Sequence, residues 1–261
     1  LKKIEARLQL SKQTAPTVFS DALLKPDHIF VDGQRLLNIG PLLRKLREHP
    51  EYLEILEPRF HSMVMGDSNT ENIMVENVGP LLAAAKIARA GDAAMSRFTA
   101  EDIGLRFLDP RAIGYHENGV DTGSDDPMYD NKPWHNSLGH YDDMHQEFFD
   151  LDVSFDEAGP HITRRFRQDS PYRRPYDGLE RYFAPAMTEA LGLDAPHSTY
   201  AQEDPYWLIR FVFIMGTHFA AMPPFHFTTE LDGTMHDDYQ HQRRPVAIYA
   251  EGIRWLNLAL E

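Results

Sequence analysis

The 261-residue chain contains no cysteine, which excludes a disulfide framework and a thiolate metal site. Basic residues are also few, since 26 Lys and Arg stand against 40 Asp and Glu for a formal net charge of −14. Proteins that hold the phosphate backbone of DNA or RNA need a basic patch, so this balance argues against nucleic-acid binding. The start of the chain is charged and amphipathic rather than a secretion signal, and we expect a cytoplasmic protein.

Long uninterrupted apolar runs are absent as well. The longest apolar stretch, residues 207–222, contains Arg210, Gly216 and His218. A membrane-spanning helix needs about 20 predominantly apolar residues, and a charged residue inside it is unfavourable. The stretch therefore predicts a buried core helix, and we expect no membrane partner.

The rest of the chain has mostly helical periodicity. Short apolar runs predict strands at residues 28–31, 73–75 and 105–108, and the pair Asp32-Gly33 predicts a turn. Arginine-rich residues 150–175 and histidine-rich residues 225–244 are expected to be loops. We predict a mainly α fold with a small β-hairpin. The predicted helices are 38–49 with Asn38 as a cap, 52–56, 81–90, 176–191, 206–222 and a last one from Pro245.

The stretch HSMVMGDSNTENIMV, residues 61–75, concentrates groups that can carry chemistry. It holds Asp67 and, five residues later, Asn72, with turn-forming residues between them and a predicted strand after them. A carboxylate can orient or deprotonate a hydroxyl nucleophile, and a carboxamide oxygen can hold a divalent metal ion. The pattern indicates a loop that presents both groups into a cleft.

Two further elements follow this loop in the chain. Asp109 ends the predicted strand 105–108, a position from which a carboxylate can point into a cleft. Arg111 comes next and can contact a phosphate or pair with a surface carboxylate. The string DPMYDNKPWHNSLGHYD begins at Asp126 and includes Asp130. Because phosphoryl transfer needs a carboxylate near the attacking hydroxyl and oxygen ligands for Mg²⁺, this order of groups favours that chemistry.

These strings resemble the aminoglycoside phosphotransferase family, the small-molecule branch of the protein-kinase-like fold. MGDSNTEN is similar to the family's Gly-Asp loop with an asparagine five residues after the aspartate, and FLDPR to its strand-end aspartate. DPMYDNKPWHNSLGHYD is similar to the helix that follows. The resemblance implies that Asp67 is the catalytic base, that Asn72 and Asp109 hold Mg²⁺ on the nucleotide, and that Asp130 supports the loop.

The resemblance also implies the C-terminal lobe of a kinase-like α+β fold. Residues 1–261 would form one helical catalytic lobe, with a connector at 1–37, a catalytic core at 38–145 and substrate-side helices and loops at 146–261. In a departure from the family's usual spacing, the predicted helix 81–90 is inserted between the hairpin strands. The residues before 61 offer neither a glycine-rich nucleotide loop nor a strand with a phosphate-pairing lysine. Either an N-terminal lobe lies outside this chain, or the lobe has lost ordinary ATP binding.

Three functions are therefore open. The resemblance implies transfer of the terminal phosphate of ATP or GTP, with Mg²⁺, to a hydroxyl of a small molecule such as a sugar, aminoglycoside or amino alcohol. The second is a non-catalytic kinase-like lobe that binds or regulates within a larger polypeptide. The third is a His/Asp metallohydrolase, since His236 and His241 flank two aspartates, although solvated histidines are the expected state of this loop.

Overall fold

The computed structural model describes residues 2–87, 99, 101–110, 116–117, 120–121, 124–194 and 202–261. Its helices are α1 (Lys2–Thr14), α2 (Thr17–Phe19), α3 (Ile39–Glu48), α4 (Pro50–Leu56), α5 (Val78–Ile87), α6 (His135–Gly139), α7 (Tyr141–His145), α8 (Phe183–Leu191), α9 (Trp207–Ala221) and α10 (Arg243–Leu260). Its strands are β1 (His28–Val31), β2 (Gln34–Leu37), β3 (Ser62–Met63), β4 (Ile73–Val75), β5 (Leu105–Phe107), β6 (His116–Glu117), β7 (Val120–Asp121), β8 (Ser124–Asp125), β9 (Phe149–Asp156) and β10 (Gly159–Phe166). A π-helical turn covers Ser20–Leu24. Turns of 3₁₀ helix cover Thr70–Asn72, Pro127–Asp130, Lys132–Trp134, Arg174–Tyr176, Leu179–Tyr182 and Pro223–Phe225.

The described residues form two compact units. The first comprises Leu1–Phe60 and Trp134–Glu261, and the second comprises His61–Pro133. The predicted connector 1–37 and the substrate-side segment 146–261 both contribute to the first unit. The mainly helical fold with a small β part is confirmed, while its assignment to a kinase-like lobe stays a prediction.

The first unit contains a four-stranded sheet in the order β2-β1-β10-β9. Strand β1 pairs antiparallel with β2 and parallel with β10. Asp32 and Gly33 connect β1 to β2 with φ angles of 51° and 85°, the left-handed conformation that a two-residue hairpin turn requires. The predicted strand at 28–31 and the Asp-Gly turn are confirmed.

Strands β9 and β10 form the long hairpin of this sheet, and the prediction of a loop at 150–175 was wrong there. Their register runs from Gly159↔Asp156 to Phe166↔Phe149. The sequence of β9, FDLDVSFD, alternates apolar and polar residues, which is the period of a half-buried strand. The arginines suggested a loop, and two of them, Arg164 and Arg165, lie in β10 instead.

A buried ion cluster joins this sheet to α10. Arg164 on β10 has a side chain that is only 2% exposed, and its guanidinium contacts Asp32 at 2.7 Å and Glu251 on α10 at 2.8 Å. Burial alone would lower the pKa of Arg164, but Glu251 and Asp32 outweigh it and raise that pKa. Burial would likewise raise the pKa of Glu251, yet the neighbouring Arg164 and Arg254 hold it below its usual value. Each charge is therefore compensated, as burial of an ion requires.

Helix α9 is the core helix predicted from the apolar stretch. With the turn after it, Trp207–Phe225 is long and apolar enough, by length and composition, to cross a membrane. In the first unit, however, α9 packs along α10 and buries residues such as Phe211 and Met215. Its Arg210 forms an ion pair with Asp204 in which both side chains are 1% exposed. A charged side chain is rarely fully buried unless it is paired in this way. The cytoplasmic location stays a prediction.

Asn38, the predicted cap, begins α3 in the first unit. Its side chain accepts a hydrogen bond from the backbone N–H of Ile39 at 2.8 Å and donates to two backbone carbonyl groups upstream. Apolar residues on one face of α3 join the core, as the spacing predicts: Ile39, Leu42, Leu43 and Leu46. The predicted helix 176–191 begins later, as α8, because Gly178 adopts a left-handed φ of 77° and Leu179–Tyr182 form a 3₁₀ turn.

The second unit contains a short hairpin with a helix inserted between its strands. Strands β4 and β5 pair antiparallel, with Ile73 opposite Phe107 and Val75 opposite Leu105. Helix α5 lies between them in the chain, so the predicted insertion is confirmed, and it begins three residues before the predicted start. Residues 88–90 of the predicted helix lie outside the described part of the chain.

We expect the close contact of α9 with α10 to be intolerant of a methyl group at Gly252. A Cβ there would lie 2.8 Å from Ala220 Cα and closer still to its backbone nitrogen. Overpacking of a core costs about 1–3 kcal/mol, so Gly252→Ala should lower the free energy of unfolding by about that amount in urea denaturation. The matched control is Gly40→Ala in α3, where the nearest atom lies at 3.9 Å and stability should be kept or raised. Equal stability of the two variants would contradict this packing.

Candidate functional site

The loop between β3 and β4 is shaped by its own polar residues. Gly66 has a left-handed φ of 77°, a conformation that glycine adopts without steric penalty. Asn69 caps the turn Thr70–Asn72, because its side-chain oxygen accepts the backbone N–H of Asn72 at 3.1 Å. The turn then leads directly into β4. The sequence between Asp67 and Asn72 therefore specifies a tight, internally bonded loop.

Asp67 lies buried in this loop beside a cation. The residue is 6% exposed, and its Oδ1 accepts a hydrogen bond from Lys132 Nζ at 2.6 Å. The same ammonium donates to the carbonyl oxygen of Gly66 at 3.3 Å, and Asn69 Nδ2 lies 3.4 Å from Asp67 Oδ1. A partly buried ion pair of this length fixes the orientation of the carboxylate.

Asn72 and Asp109 are brought together by the β4–β5 hairpin. The side-chain Nδ2 of Asn72 donates to the carbonyl oxygen of Asp67 at 2.9 Å, which fixes the orientation of its amide. The backbone of Asn72 accepts a hydrogen bond from Leu108 N at 2.7 Å. Asp109 is the next residue and has a φ of 51°, which is uncommon for a residue other than glycine. Because strained backbone clusters at functional sites, this conformation marks Asp109 as a candidate.

Asp130 supports the loop from the second turn-rich segment. Its two carboxylate oxygens accept the backbone N–H groups of Met65 at 2.6 Å and Gly66 at 2.9 Å. Asp126 caps the turn that carries Asp130, since its Oδ1 accepts Met128 N at 2.9 Å. A carboxylate that binds two successive amides holds the chain in one path just before Asp67.

The charge around the loop is predominantly negative. Burial raises the pKa of the Tyr129 phenol, and the carboxylates of Asp125, Asp130 and Asp67 raise it further against the opposing effect of Lys132. A site with this balance attracts cations. The carboxamide of Asn72 and the carboxylate of Asp109, at neighbouring strand ends, are the oxygen ligands that Mg²⁺ prefers, so the residues present fit that ion.

The residues predicted as a site mostly belong to one local assembly. The Asn72 side chain is hydrogen-bonded to the backbone of Asp67, and Asp109 follows Leu108, whose backbone is hydrogen-bonded to that of Asn72. Asp130 holds the loop that carries Asp67. Arg111 lies outside the described residues.

Sequence reasoning gave no role to two contributors, Lys132 and Asn69. Lys132 lies only two residues after Asp130, within the string DPMYDNK. Lys132 could have been recognised as the one cationic residue that follows several aspartates, Asp125, Asp126 and Asp130. Asn69 had a weaker signal, because asparagine is common in any turn.

Comparisons of the chain with protein-family models, with curated proteins and with solved structures found no match. The similarity of its strings to aminoglycoside phosphotransferases thus has no further support from relatives. No family is assigned to the chain, and any function must be argued from the residues and geometry of the second unit.

Proposed function

We propose that the chain is a Mg²⁺-dependent phosphotransferase that moves the terminal phosphate of ATP or GTP to a hydroxyl of a small molecule. The observation that carries the proposal is the pairing of β4 with β5. It sets Asp109 beside Asn72, and Asn72 is itself bonded to the backbone of Asp67. The candidate base and the two candidate metal ligands thereby lie on one loop and one hairpin, although Asp67 and Asp109 are 42 residues apart in the sequence.

The residues divide the work between positioning and charge. Asp67 orients the acceptor hydroxyl and takes its proton as the oxygen bonds to the terminal phosphorus, whose bond to the departing nucleoside diphosphate breaks. Asn72 and Asp109 would hold Mg²⁺, which would supply positive charge to offset that of the phosphates. Such transfer involves little covalent chemistry by the protein, so catalysis depends on how rigidly these groups are placed.

Lys132 has a positioning role in this proposal. It neutralises the buried charge of Asp67 and holds the carboxylate in one orientation through a 2.6 Å hydrogen bond. The acceptor hydroxyl must then share the carboxylate with the ammonium group. Lys132 therefore controls how Asp67 meets its substrate, although it contacts no reacting atom in this account.

We expect Asp67→Asn to abolish most of the phosphoryl transfer while preserving the fold. The change keeps the shape of the side chain and removes the proton acceptor, and general-base catalysis contributes about 10²–10⁴-fold. The measurement is transfer of radiolabelled terminal phosphate from ATP with Mg²⁺ to a panel of sugars, aminoglycosides and amino alcohols, with hydrolysis as the background reaction.

The matched control for that experiment is Glu71→Gln, which removes a charge from an exposed residue of the same loop. It should transfer phosphate at the wild-type rate. Turnover that survives in Asp67→Asn at the control level would remove Asp67 from the mechanism. Mg²⁺-nucleotide binding with no transfer by the wild-type protein would instead favour a non-catalytic binding lobe.

A double-mutant cycle tests the pairing of Lys132 with Asp67. Lys132→Met should lower turnover by about tenfold or more, because a hydrogen bond to a charged group contributes about 1.5–3 kcal/mol. In the Asp67→Asn background the same change should have little further effect. An equal loss of turnover in both backgrounds would show that Lys132 acts independently of Asp67.

A further inference from the structure

The polar loop before α10 brings two histidines and an aspartate together. One ligand atom each from His236, Asp238 and His241 lies within 4.8 Å of the others. His241 Nδ1 is 2.8 Å from Asp238 Oδ2, and the rings of His236 and His241 stack with centroids 4.0 Å apart. The sequence indicated this cluster only unspecifically, because a spacing of five residues between the histidines fits neither a helix face nor a strand face.

The backbone that carries these side chains is held by a buried glutamine. Gln242 is fully buried, and its Nε2 donates to the carbonyl oxygens of His236 at 2.7 Å and Thr228 at 3.0 Å. Its Oε1 accepts Thr228 N at 3.1 Å. Farther along the loop, Asp237 Oδ1 accepts the backbone N–H of Val18. The histidines thus project from a stretch of backbone that Gln242 holds in place.

The electrostatics of this turn favour a cation. Residues 230–241, ELDGTMHDDYQH, contain four carboxylates and no lysine or arginine. The two arginines that follow are engaged elsewhere. Arg243 donates to the carbonyl oxygen of Phe149 and lies over its ring, and Arg244 pairs with Glu147 at 3.1 Å. The local field therefore attracts positive ions.

We propose that His236, Asp238 and His241 form a binding site for one divalent transition-metal ion of the zinc class. Imidazole nitrogen with a carboxylate oxygen suits Zn²⁺, whereas Mg²⁺ and Ca²⁺ prefer oxygen ligands alone. The site is thereby chemically distinct from the oxygen pair of Asn72 and Asp109. It also gives the histidine-rich loop a role that phosphoryl transfer leaves unexplained.

Metal binding requires a local rearrangement, because the stacked rings of His236 and His241 must tilt until one nitrogen of each points at the same ion. Zinc bonds of about 2.1 Å in a tetrahedron separate ligand atoms by about 3.4 Å. The ligand atoms lie within 4.8 Å of one another, so no separation has to close by more than about 1.4 Å. The side chains of Asp238 and His241 are about half exposed and can rotate by that amount. Three protein ligands leave one position for water, the arrangement of an open zinc site rather than a closed structural one.

The test uses the full chain without a histidine tag, freed of metal with a chelator and titrated with ZnCl₂ by calorimetry. We expect one equivalent of zinc to bind. His236→Ala and His241→Ala should each weaken that binding by about 100-fold or more, because loss of even an outer-shell partner costs 10–100-fold. Asp238→Asn removes a charged ligand with little change of shape and should weaken binding in the same direction.

The matched control is His49→Ala, which removes a half-exposed histidine that also pairs with a single carboxylate, Glu51 at 2.9 Å. It should bind zinc like the wild type. Circular dichroism confirms that each variant is folded, and the visible spectrum of bound Co²⁺ should show a tetrahedral site. The proposal is overturned if no stoichiometric binding occurs, or if folded His236→Ala and His241→Ala bind as tightly as the His49→Ala control.

Discussion

The two hydrogen bonds from Met65 and Gly66 to the carboxylate of Asp130 are the constraint on which the candidate site depends. A charged acceptor that binds two consecutive amides contributes about 1.5–3 kcal/mol per bond and leaves the backbone one path. That path delivers Asp67 to a buried position and directs the loop into the turn that ends at Asn72. Without the charge of Asp130, the two amides before Asp67 would be held less firmly, and the backbone would no longer fix the direction of the Asp67 side chain.

Around this constraint, each polar group of the site is held by another. Asn69 fixes the backbone of Asn72, Asn72 fixes the backbone of Asp67, and Lys132 fixes the Asp67 carboxylate. Such mutual support suits chemistry that depends on position. It also sets two requirements against each other, because the ion pair that orients Asp67 occupies part of the carboxylate that an acceptor hydroxyl needs.

The sequence allowed the local features of the site to be predicted, since they arise from neighbours in the chain. The turn residues around Asp67, the two apolar strands of the following hairpin and the helix between those strands all follow from local propensity and spacing. The Lys132–Asp67 contact joins residues 65 apart, which spacing does not reveal. The same limit applies to Arg164, whose charge suggested a loop because its partners Asp32 and Glu251 lie 132 and 87 residues away.

Calorimetry with a non-hydrolysable ATP analogue can show whether Asn72 and Asp109 hold Mg²⁺ on a nucleotide. The titration is run with and without Mg²⁺ on the wild-type chain, Asn72→Ala and Asp109→Ala. We expect nucleotide binding that requires Mg²⁺ in the wild type and is lost in both variants. Absence of nucleotide binding, or binding of equal affinity with and without Mg²⁺, would contradict it.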